Sequence, residues 1–180
     1  ASVVHGETGL GGFPLPISNR ALDPRPAWRL IYDEALAAGD ELEIIAIGPM
    51  TNIAIALLRY PELAGMIRRI VSMGGSTEWG NRGAYGEFNY YVDPHAAQIV
   101  FQSGIPVHMV GLNVTMKTGM SEAEINSLYA AVAQKEYEEL LDFYRQVYAE
   151  NDLGFQVVAI HDALAVAYAI DPSVLHLEKA

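Results

Sequence analysis

Three polar side chains, Asn81, Glu87 and Asn89, stand close together in a glycine-rich stretch, GNRGAYGEFN, at residues 80–89. A carboxylate beside carboxamides suits a vicinal diol, because such groups accept from and donate to neighbouring hydroxyls. The glycines let backbone approach a ligand closely. The competing reading is structural: Asn81 makes a turn, Glu87 is solvated and Asn89 satisfies loop backbone. Composition alone favours that second reading. A further pair, His161-Asp162, opens AIHDALAVAYAIDP (159–172). There it offers a general acid and an oxygen ligand for a metal, or, more simply, a helix cap and a satisfied histidine. A helix N-terminus disfavours imidazolium, so a proton-donating histidine at that place needs help. His5 precedes a glycine-rich turn, HGETGLGG, that lacks the Gly-Lys-Ser/Thr ending of a phosphate loop. His95 and His108 read as structural.

The elements that must position these groups alternate between strand and helix. Trp28, Ile31, Tyr32 and Ala35 mark a helical face closed at Gly39-Asp40. LEIIAI (42–47) reads as a buried strand ended by Gly48-Pro49, and MTNIAIALLRY as the helix after it. IVSM (70–73) is the next strand, cut by Gly74-Gly75, with a polar loop over 76–92. Asp93-Pro94 is a helix start, an N-cap acceptor followed by proline at the first helical position. The helical spacing of Ala96, Ala97, Val100 and Phe101 gives that helix one apolar face. VHMVGL (107–112) is a third strand. Tyr137, Leu140, Leu141, Tyr144 and Tyr148 mark an amphipathic helix, and ALAVAYAI (163–170) a buried one. The expected fold is α/β, a mostly parallel sheet with helices on both faces. Ligands of such sheets bind beyond the carboxyl ends of the strands, which is where the 76–92 loop begins.

Composition narrows the function classes. The 180 residues carry 51% hydrophobic and 18% charged side chains, consistent with a single soluble α/β domain over 1–180. The net charge of −11 argues against a nucleic-acid partner and permits a neutral or cationic ligand or a divalent cation. No apolar run reaches the length of a membrane span. The absence of cysteine excludes disulfides and thiolate metal sites and fits a reducing, cytoplasmic setting.

Four segments, in order, resemble the nucleoside hydrolase family, the inosine-uridine-preferring N-ribohydrolases: HGETGLGG, IGPMTNIAIAL, MGG…GN…GEFNYYVDPHAA and VAIHDALAVAYAIDP. Each is weak alone; the ordered set spans nearly the whole chain. The resemblance implies a Rossmann-like core and hydrolysis of the N-glycosidic bond of a ribonucleoside to ribose and free base. It implies a calcium ion (Ca2+) that holds the ribose hydroxyls and the attacking water. By similarity, Asp162 is a calcium ligand through its carboxylate and Ile47 through its backbone carbonyl. Asn81, Glu87 and Asn89 match the ribose grip, Met73 and Phe88 the pocket wall, His161 the proton donor to the departing base, and His5 a group near the base. The family is usually dimeric or tetrameric, so a homo-oligomer is expected. The family's aspartate-rich N-terminal loop and its C-terminal region have no counterpart here. The expectation is therefore a central fragment of a longer nucleoside hydrolase domain, inactive alone; the alternative is a non-catalytic nucleoside- or ribose-binding module.

Overall fold

The structure, a computed structural model, describes residues 19–132, 142–143 and 158–179. In chain order its elements begin with α1 (Ala27–Ala38), β1 (Leu42–Ala46), α2 (Thr51–Arg59), β2 (Ile67–Met73), α3 (Phe88–Val92) and α4 (Pro94–Phe101). They continue with β3 (Val107–Val110), α5 (Leu112–Thr115), β4 (Gly119–Met120), α6 (Glu122–Val132), β5 (Val158–Ala159) and α7 (His161–Ile170). Two compact units divide the chain: Leu22–Thr118 with His161–Ala180, and Ala1–Ala21 with Gly119–Ile160.

In the first unit β2 is the centre of a three-stranded sheet, β1-β2-β3, with both pairings parallel. The register sets Ile45 beside Val71 and Met73 beside Val110. A strand covered on both faces must be apolar on both, and β2 is. Ile70 joins a core built with Ala35, Ile53, Leu57, Ala97 and Val100. Val71 and Met73 join a second core with Val110, Leu112, Leu164, Ala165 and Tyr168. Helices α1, α2 and α4 therefore supply one layer and α7 the other, as the alternation of elements requires.

Several boundaries depart from the sequence expectation, each for a local reason. β2 begins at Ile67, three residues before IVSM, because Arg69 lies partly buried and ion-paired to Glu43 at 2.7 Å across the sheet. β3 stops at Val110, since Leu112 already starts a short helix packed into the second core. The 76–92 segment is not loop throughout: EFNYY folds into α3 under a side-chain cap from Glu87. Phe101 is largely exposed while Ala96, Ala97 and Val100 are buried, so the apolar face of α4 ends one residue early. α7 is buried on one side only, with Leu164, Ala165 and Tyr168 inside and Ile170 79% exposed. The amphipathic helix expected around Tyr137–Tyr148, like HGETGLGG with His5, lies outside the described residues.

In the second unit β4 and β5 pair antiparallel, Gly119 beside Ala159 and Met120 beside Val158. Helix α6 starts from a capping box: the Glu124 carboxylate accepts from the Ser121 amide at 2.7 Å, and Ser121 Oγ accepts from the Glu124 amide at 3.4 Å.

Candidate active site

The carboxyl edge of the sheet is organised by Glu87. Its side chain is 3% exposed, which overturns the solvated reading. A buried carboxylate must be hydrogen-bonded to persist. Oε1 accepts from the Asn89 amide at 2.9 Å; Oε2 accepts from the Gly75 amide at 2.9 Å and the Tyr90 amide at 3.2 Å. Asn81 Oδ1 accepts from the Phe88 amide at 2.8 Å, and the Tyr91 amide makes the first helical bond to the Glu87 carbonyl at 2.8 Å. All four leading amides of α3 thus have partners, and a five-residue helix closes without further turns.

Asn89 ties the same helix to the sheet. Its Nδ2 donates to the Met73 carbonyl at 3.0 Å, at the end of β2. Glu87 and Asn89, two residues apart, therefore clamp α3 onto the Met73–Gly75 strand end. Gly75 is the hinge of the arrangement. Its φ of 71° lies in the left-handed region, its amide donates to Glu87, and its carbonyl accepts from the Leu112 amide at 2.9 Å. Tyr90 stacks over this glycine pair, and a side chain at Gly74 would run into its ring. The Tyr90 hydroxyl donates to Ser72 Oγ at 3.1 Å, and burial pushes its phenol up to about 12. Phe88 lies under the Arg82 guanidinium, 5.0 Å from the ring centroid.

With these bonds made, the clamp keeps capacity for a ligand. A carboxylate offers about four acceptor sites, of which Glu87 uses three. Among the described residues, Asn81 Nδ2 and Asn89 Oδ1 take no protein partner. Hydroxyl-bearing ligands are what such leftover donors and acceptors bind.

His161 begins α7, and its Nδ1 lies 2.7 Å from Thr115 Oγ1. Burial holds its imidazole pKa below the usual histidine value. Burial thus acts in the same direction as a helix N-terminus, which disfavours imidazolium. Asp162 lies exposed on the first turn of α7, and Ile47 just past β1. Among the described residues no group of three or more His, Cys, Asp or Glu side chains stands together to hold a metal ion. Calcium takes about six to eight oxygen ligands, so Asp162 and the Ile47 carbonyl do not cage it by themselves.

Sequence reasoning missed Thr115 and Tyr90 as parts of this edge. The available signal was position: GLNVT follows a strand directly, as Gly74-Gly75 follows another. It also missed a polar cluster lower on the sheet. Arg69 pairs with Glu43 and donates to the Ala169 carbonyl at 3.1 Å, while the Tyr168 hydroxyl meets His108 Nδ1 at 2.8 Å. Burial first, and then the nearby Arg69 charge, lower the His108 pKa. The cluster pins α7 across all three strands and makes His108 structural, as expected.

A parallel sheet with helices on both faces defines an α/β protein, and the polar clamp at its strand ends lies at the carboxyl edge, where ligands of such sheets bind. Comparison with known proteins takes this further: the family described as inosine-uridine preferring nucleoside hydrolase matches residues 1–180, and the chain belongs to it. It is 40% identical over 181 residues to the pyrimidine-specific ribonucleoside hydrolase RihA of Salmonella paratyphi A, across 97% of this chain and 57% of that one. A purine-preferring ribonucleoside hydrolase from Gardnerella vaginalis is 37% identical with a TM-score of 0.91, across 97% of this chain and 56% of its own. A plant nucleoside hydrolase follows at 28% identity and a TM-score of 0.89, across 98% of this chain and 56% of its own. The chain spans little more than half the length of the relatives it matches.

Proposed function

We propose that the full protein to which this chain corresponds is an N-ribohydrolase, hydrolysing the glycosidic bond of a ribonucleoside to ribose and free base. The observation that carries this reading is the Glu87–Asn89 clamp on the Met73–Gly75 strand end, with Asn81 Nδ2 and Asn89 Oδ1 left over for hydroxyls. Glu87 also places a carboxylate near the sugar, where cleavage builds positive charge. By the family resemblance, Met73 and Phe88 are wall positions and His161 serves the departing base. A neutral nucleoside suits a chain of net charge −11. We assign the protein to the cytoplasm as a homo-oligomer; no helix among the described residues is long and apolar enough to cross a membrane. The base is left open, because relatives of nearly equal identity are named for opposite preferences, pyrimidine and purine.

Calcium is the proposed cofactor of the full protein, with the Asp162 carboxylate and the Ile47 carbonyl as two ligands. The remaining ligands must come from outside the described residues. The 180 residues alone are expected to bind calcium poorly and to release no measurable ribose. A ribose-release assay on this chain with calcium present tests that half; turnover lost on Asp162→Ala would overturn it. The same assay on a protein of the relatives' full length tests the activity itself.

The second reading is a nucleoside- or ribose-binding module without hydrolysis. It is favoured by one observation: the buried carboxylate of the clamp is already engaged by three amides and is poorly placed to activate water. Calorimetry showing nucleoside binding that Asn89→Ala removes, with no ribose released by the full-length protein, would select it.

A further inference from the structure

Thr115 is fully buried, at 0% exposure, and its hydroxyl has a single hydrogen-bond partner among the described residues, His161 Nδ1 at 2.7 Å. A helical threonine ordinarily has another outlet for its hydroxyl hydrogen, the carbonyl four residues back. Thr118 uses it, donating to the Val114 carbonyl at 3.1 Å. Thr115 does not; the Gly111 carbonyl receives the Thr115 amide instead, at 3.0 Å. Packing fixes both members of the pair. Leu112, on the same short helix as Thr115, shares a core with Leu164 and Ala165 of the helix that His161 opens.

The two possible arrangements of the bond are not equivalent. With the imidazole proton on Nδ1, the ring donates and the threonine oxygen accepts, which leaves the hydroxyl hydrogen buried without an acceptor. With Nδ1 bare, the hydroxyl donates to it and both groups are satisfied. Stranding a buried donor is the costly outcome. Which ring nitrogen carries the proton is set by the bond the other one makes.

We propose that Thr115 is a positioning residue that holds His161 in the Nε2–H tautomer by donating its hydroxyl hydrogen to Nδ1. The ring's donor is then Nε2, suited to an acceptor on a ligand such as a carbonyl oxygen or ring nitrogen of a base. That consequence rests on the proposed role of His161 toward the departing base; the tautomer itself does not. The residue was invisible as a functional candidate in sequence because a threonine in an apolar segment after a strand has no chemical signature of its own.

The test is ring-nitrogen NMR of the 15N-labelled chain under conditions where the imidazole is neutral, with the His161 signals assigned by their loss in His161→Gln. The expected spectrum has Nε2 protonated and Nδ1 an unprotonated, hydrogen-bonded acceptor. Thr115→Ser keeps that spectrum, and the near-isosteric Thr115→Val loses the hydrogen-bond shift at Nδ1. A protonated Nδ1 in the parent chain, or a Thr115→Val spectrum identical to it, overturns the proposal. In the full-length protein Thr115→Val is expected to lower kcat by about ten- to a hundred-fold, as loss of groups that orient metal-bound histidines does. KM should change little, and Thr115→Ser should restore kcat. An unchanged kcat in an active Thr115→Val protein also overturns the proposal. If the full-length protein hydrolyses no nucleoside, the proposed function fails while the NMR measurement still decides the tautomer.

Discussion

Glu87 caps a helix and anchors it to a glycine at a strand end, so a change there acts on stability before it acts on binding. Glu87→Ala strands the Gly75, Asn89 and Tyr90 amides. The expected loss is about 2–4 kcal/mol, from one missing cap and buried donors left unpaired. Urea denaturation measures it, and Glu87→Gln, which keeps an acceptor oxygen, should lose less. Tyr90 carries a second prediction. Its phenol is raised from 10.0 to about 12, chiefly by burial. Its contribution to stability is complete below pH 10 and is lost as pH rises toward 12. Alkaline titration followed by tyrosinate absorbance should show a late-ionising component that Tyr90→Phe removes; identical wild-type and Tyr90→Phe curves at the alkaline end would refute the assignment.

Among the elements, Asp93 links two helices as well as starting one. It accepts from the Ala96 amide at 3.0 Å and from the Thr51 hydroxyl at 2.7 Å, so the start of α4 is tied to the start of α2. The Thr51 hydrogen bond, followed by the Ala96 amide, lowers its pKa below the usual 3.8. For a carboxylate depressed in the folded state, the stabilisation is present above the unfolded value and lost as pH falls through the folded one. Asp93→Asn should therefore lower the urea midpoint at neutral pH, and the difference should shrink as the pH is taken below the usual carboxylate value. A constant difference across that range would remove the charge from the explanation. The helix start itself was legible, because Asp-Pro is a signal contained within two residues. Its bond to Thr51, 42 positions earlier, was not.

At the scale of the molecule, the chain belongs to one family and spans little more than half the length of the relatives it matches. Calorimetry of the 180 residues with calcium should show weak binding or none, since the two ligands proposed above, the Asp162 carboxylate and the Ile47 carbonyl, fall short of the roughly six to eight that the ion takes. Tight stoichiometric binding would place a complete cage within this chain.

Local signals were sufficient for the sequence to determine the alternation of strand and helix, the turn of the chain at Gly74-Gly75, the start of α4 and the ordered segments that mark the family. Each depends on residues close together along the chain, where apolar periodicity and capping chemistry act. The tertiary structure decided what the polar residues do. Glu87 was ambiguous between solvent and ligand until burial and three amides showed it to be a cap. Thr115 had no visible role until the fold brought α5 and α7 together and left His161 as the one partner of its hydroxyl among the described residues. Hydrogen bonds between residues 12 to 46 positions apart set these roles. Spacing along a chain carries no record of such pairs, because they form only when strand ends and helix starts are packed into one edge.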